Sequence, residues 1–169
     1  MELTELFVSE LDRETERSRR ALEQVPAGKH DWKPHEKSME LGYLSGLTAT
    51  MLSWVAAIIE LDHLDLASPG EFGSGAFDTN KELLEAFDKA VDRAKKALAN
   101  TTDEHLLNTT WQLRVQGQTV MEQPRYVAIR DSVINHMAHH RGQLTVYLRL
   151  NDRTVPAIYG PSADDQQFA

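Results

Sequence analysis

A chain of 169 residues is long enough for one domain with a core of its own, and its 26 acidic against 18 basic residues leave a net charge of −8. The basic residues are scattered among acids, as at Arg17, Arg19, Arg20, Lys95 and Lys96, so no continuous cationic face can be drawn and direct nucleic-acid binding is not expected. The absence of cysteine removes disulfides, thiolate ligands and a protein-borne thiol nucleophile.

The sequence shows no apolar run of transmembrane length. The opening Met1-Glu-Leu-Thr-Glu-Leu6 lacks the basic and apolar regions of a signal peptide. A cytoplasmic protein with no membrane partner is the expectation.

Residues 3–25 read as a first helix, with Phe7, Leu11, Ser18, Leu22 and Val25 forming a narrow seam closed by Pro26-Ala-Gly28. Trp32 in the following polar connection is expected to cover one end of the core, with His30 and His35 exposed. Ser38 is placed to cap a second helix running to about Asp62. Its inward face carries Leu41, Leu44, Leu47, Met51, Val55 and Ile58. The Gly-rich segment 68–75 has no phosphate-loop pattern and reads as a mobile connection. Thr79 and Glu82 form a capping box that opens a third helix, in which Leu84, Phe87, Val91, Ala94 and Leu98 repeat at helical spacing. Residues 101–123 alternate weakly around Trp111, Leu113 and Val115, which predicts a short hairpin turning at Gln116-Gly117-Gln118.

Pro124 suits the start of a fourth helix reaching Leu150. On that helix Val133, Met137, Leu144, Tyr147 and Leu148 share one arc. His140 falls inside the arc and His136 at its edge, while His139 points aside. Two same-face imidazoles four residues apart can give one metal ion two ligands, and can equally pack as a hydrogen-bonded core pair. No Glu follows His136, so this is not the zinc-protease pattern. The Thr154–Ser162 stretch is expected to pack Ile158 and Tyr159 onto the helices, and residues 164–169 to fray.

Four segments, taken in order, resemble the DinB/YfiT-like superfamily over nearly the whole chain. They are Trp32-Lys-Pro-His-Glu-Lys-Ser-Met39, Leu41-Gly-Tyr-Leu44, His136-Met-Ala-His-His-Arg-Gly-Gln-Leu144 with Tyr147-Leu-Arg149, and Pro156-Ala-Ile-Tyr-Gly-Pro161. Four amphipathic helices bury their stripes most simply as an all-α four-helix bundle with a long loop between the second and third. The resemblance implies the same bundle, one DinB-like domain over residues 1–169, often a homodimer. It also implies a divalent metal, zinc or nickel, held by three histidines. Two of them carry over to His136 and His140. The third, from the second helix, falls on Leu47, which has no lone pair to offer.

The activity implied is that of a metal-dependent thiol (S-)transferase or related stress-response enzyme, here with a degenerate metal site. It would act on a small-molecule substrate with a low-molecular-weight thiol such as bacillithiol or mycothiol. The alternative is a non-catalytic binding or interaction module that has lost the metal, its pocket made more apolar by Leu47.

Overall fold

The structure is a computed structural model that describes residues 2–167, the Glu71 side chain excepted. It is helix-rich. The principal helices are α1 (Leu3–Leu22), α2 (Leu41–Thr50), α3 (Trp54–Glu60), α4 (Asn80–Ala99) and α7 (His136–Leu150), with two short ones, α5 (Asp103–Asn108) and α6 (Arg125–Ala128). α1 packs against α4 and α7, and α2 against the same two, so the four seams meet around one core.

The first helix is capped from a distance: the Asp103 carboxylate accepts the free amides of Leu3 and Thr4 at 2.7 and 3.0 Å. α2 and α3 are one helical stretch tightened at Met51–Ser53 into a 3₁₀ turn. The cause is local. Thr48, Thr50 and Ser53 turn their hydroxyls back onto the carbonyls of Leu44, Gly46 and Thr50, which disturbs a regular ladder. By length, and by the mean hydropathy of an 18-residue window within it (1.4), the Leu41–Glu60 stretch could cross a membrane, contrary to the sequence expectation. However, 72% of that window is buried inside the fold, as a core helix would be. The expected Ser38 cap is not formed: α2 starts after Glu40, with no side-chain cap bond. The Thr79–Glu82 capping box on α4 is formed in both directions.

The all-α expectation missed a small sheet. β2 (Thr110–Val115) and β3 (Gln118–Pro124) are the predicted hairpin, and β1 (His63–Asp65) adds to β2 in parallel, pairing Leu64 with Leu113. Gln116 and Gly117 both take positive φ (52° and 77°), the two-residue loop whose twist matches a hairpin. The Asp65 carboxylate accepts both of their amides, at 3.0 and 2.6 Å, and so ties the hairpin tip to β1. Beneath the sheet, buried Arg125 donates to the carbonyls of Ile58 and Leu61 at the end of α3 and to Thr109 Oγ1. Arg125→Ala would leave those helix-end carbonyls dry and unpaired. It is expected to cost about 2–3 kcal/mol, read as a shift of the urea midpoint at unchanged slope.

The last helix is not uniform. Between α6 and α7, Ile129–Asn135 winds as a π-helical segment that ends where His136 begins. The chain end is pinned rather than frayed as far as it is described. Asp164 accepts the Val155 amide at 2.8 Å, and Asp165 accepts the Ala157 amide at 3.0 Å. Phe168 and Ala169, also expected to fray, lie outside the described residues.

Candidate functional site

Two side chains set the rotation of α7. Arg141 reaches toward α1, and the Tyr147 hydroxyl donates to the Met39 carbonyl at 3.1 Å while its ring meets Trp32 edge-on at 5.4 Å. With both in place, the face carrying His136 and His140 is presented to α2. His140 is 3% exposed, His136 is half-buried and His139 is exposed, as the helical arc predicts.

The two imidazoles meet: His140 Nε2 lies 2.9 Å from His136 Nε2. Their outer sides are engaged as well. Gln143 Oε1, which can only accept, receives a hydrogen bond from His140 Nδ1–H at 2.9 Å, and the His136 ring is hydrogen-bonded to the Ser132 backbone. His140 Nε2 therefore presents a lone pair, and so does His136 Nε2 when its ring is neutral with its one proton on the Ser132 side; a donor, a cation or a shared proton between the two satisfies both. Burial pushes both rings below the ordinary histidine pKa. The Ser132 and Gln143 bonds oppose that, while the neighbouring imidazoles add to it.

Both rings open onto a cleft of about 360 Å³ whose remaining walls include Met39, Tyr43, Leu47, Trp54, Leu66 and Phe72. Leu47 thus shares the cleft with both histidines. His63, on β1, and His105, whose Nε2 faces the Ile59 carbonyl, do not line it. His35 is exposed and His30 half-buried, both away from it.

The ion that the resemblance implies asks two things of this donor set, spacing and count. Tetrahedral coordination at zinc–nitrogen bonds near 2.0–2.1 Å sets two nitrogens about 3.3 Å apart, so the pair needs to open by only a few tenths of an ångström. The count is what fails. Among the described residues no group of three or more His, Cys, Asp or Glu side chains is placed to hold an ion, and the third wall is the Leu47 isobutyl group. The residues present do not fit a resident three-histidine centre.

One cluster was not read from the sequence. Glu14 lies in the α1 seam between Leu11 and Ser18 and is buried. Arg141, 1% exposed, donates to Glu14 Oε2 at 2.6 Å and to Ser18 Oγ at 2.9 Å, and the Tyr159 hydroxyl donates to Glu14 Oε2 at 2.8 Å. Arg17 closes the other side, bonding Glu14 Oε1 at 2.8 Å and stacking on the Tyr159 ring. Burial alone would raise the Glu14 pKa. The Arg141 bond and charge, with Tyr159 and Arg17, outweigh it and hold the carboxyl below its ordinary value. The available signal was a glutamate at the seam's missing step, seven residues after Phe7.

The fold class is that of the DinB-like proteins. A DinB-like protein, YjoA, from Bacillus subtilis has a crystal structure that superposes with a TM-score of 0.65 at 20% identity, covering 87% of this chain and 92% of that one. A DinB-like protein from Bacillus cereus ATCC 10987 gives 0.68 at 22% identity, covering 90% and 95%. A model of the DinB family matches residues 1–167, and the chain belongs to that family. Uncharacterized protein YrdA of Bacillus subtilis (strain 168) is 52% identical over 33 residues, so the match spans 20% of this chain and 20% of that relative.

Proposed function

We propose that this protein is a small-molecule-binding member of the DinB family, a four-helix bundle whose cleft takes an apolar compound carrying one hydrogen-bonding head group. The observation that carries this is Leu47 set on the same cleft as His136 and His140. An aliphatic wall replaces a ligand, and the imidazole pair becomes a polar anchor in a mostly apolar pocket. A cleft of about 360 Å³ is at the small end of ligand sites, suited to a compact molecule.

4-Ethylphenol is a suitable probe, since its hydroxyl can donate to an imidazole nitrogen and its body is apolar. Calorimetry should show one saturable site, lost in Leu47→Trp and weakened roughly tenfold in His140→Ala by loss of the hydrogen bond. Absence of binding, or binding indifferent to both substitutions, overturns the proposal.

A second reading, a metal-dependent thiol transferase, is favoured by the convergence of the two Nε2 atoms. Zinc or nickel at near-stoichiometric level in protein purified without an affinity tag would select it over the first. For either reading we infer a homodimer, for which sedimentation at micromolar concentration should give about twice the 19.1 kDa chain mass.

A further inference from the structure

The outer wall of the cleft is one segment. Leu66, Pro69, Phe72, Gly73 and Ser74 line it, opposite the residues of α2, α3 and α7. Within residues 66–74 the only regular structure is the three-residue 3₁₀ turn Gly70–Phe72, whose bonds from Phe72 to Pro69 and from Gly73 to Gly70 are internal to the segment. From Pro69 on the strap is thus folded on itself; at its start the Leu66 amide donates to the Arg114 carbonyl of β2 at 2.9 Å, which makes that end a hinge, and its remaining anchors lie further along.

Two contacts converge on Phe72, which is 5% exposed. The Trp54 indole N–H donates to the Phe72 carbonyl at 2.9 Å, and the Arg93 guanidinium from α4 lies 4.1 Å above the Phe72 ring. A third contact follows at once. A Cβ added at Gly46 would stand 1.7 Å from the Gly75 carbonyl oxygen, so the residue just past the strap lies flat on α2 where only a hydrogen fits, and the strap is pinned at that end. Trp54 is both a wall of the cleft and a donor to the strap, so whatever fills the cleft touches the latch.

We propose that residues 66–74 are a gate: ligand enters the histidine cleft when this strap lifts, and Trp54 and Arg93 latch it closed through Phe72. Such local opening is a low-energy motion of a segment with few anchoring contacts, and it limits entry once ligand is abundant. The inference rests on the cleft being the ligand site, and the experiment separates the two.

The probe is the dye 1-anilinonaphthalene-8-sulfonate, followed by stopped-flow fluorescence. In the wild type the observed rate should level off at high dye concentration, the plateau being the rate of opening. Trp54→Phe keeps the aromatic wall but removes the donor, and should raise the plateau roughly tenfold. Arg93→Gln should raise it in the same sense. Leu47→Trp, with Leu47→Phe as the milder filling in case the first is poorly folded, should suppress the signal in proportion to the volume filled. A rate rising linearly with dye, equal in wild type and Trp54→Phe, overturns the gate while leaving the cleft reading intact. A signal indifferent to both Leu47 substitutions, or none at all, places the dye outside the cleft and overturns the gate as its route of entry, whereas absence of 4-ethylphenol binding is what overturns the cleft reading itself.

Discussion

Leu47→His should strengthen zinc and nickel binding by roughly a hundredfold or more. Groups that only orient a metal ligand are commonly worth ten- to a hundredfold in affinity, and a direct ligand should exceed that. His136 and His140 already turn their Nε2 atoms to one point, 2.9 Å apart, with their outer sides held by Ser132 and Gln143. Position 47 faces the same cleft from α2. A third imidazole there completes three protein ligands and leaves a fourth position open to water or an exogenous ligand. Calorimetric titration of wild type, Leu47→His and Leu47→His with His140→Ala decides it. The wild type should bind weakly, the single substitution tightly, and the double should fall back. Equal affinity in wild type and Leu47→His would mean that position 47 does not meet the pair. Tight wild-type binding would mean that another group completes the site.

Arg141→Ala should be the most destabilising single change near the site, at about 3–5 kcal/mol, because it strands the buried Glu14 carboxylate without its main partner. Replacing both members, Glu14→Leu with Arg141→Met, should recover most of that loss, since an apolar pair needs no desolvation of charge. The same pair sets a pH dependence whose sign is fixed. The folded-state pKa of Glu14 lies below its ordinary value, so its contribution is complete above about pH 4.3 and is lost as pH falls through the depressed folded value. Urea unfolding of wild type and Glu14→Gln between pH 7 and pH 3 should therefore converge at the acid end. Curves that stay parallel would show that Glu14 is not the titrating group.

What could be read from the chain alone was whatever is written in neighbouring residues. The helical period of α4, its Thr79–Glu82 box, the hairpin around Gln116 and Gly117, and the arc that brings His136 and His140 to one face all depend on spacings of a few residues. The family resemblance extended this to the absence of the second-helix histidine at Leu47.

The tertiary structure decided everything that needs a distant partner. Three residues, His63 to Asp65, become a strand only by pairing with β2 nearly fifty residues on, and no local pattern of that length can announce it. Glu14 looks like a flaw in an apolar seam until Arg141, 127 residues later, is laid against it. Phe72 is one residue of a Gly-rich connection until Trp54 and Arg93 close on it from two helices. Periodicity tells each helix which face to bury, because burial follows the backbone's own geometry. Which charge, ring or carbonyl waits across the interface depends on how the helices come together, and only the folded chain supplies that.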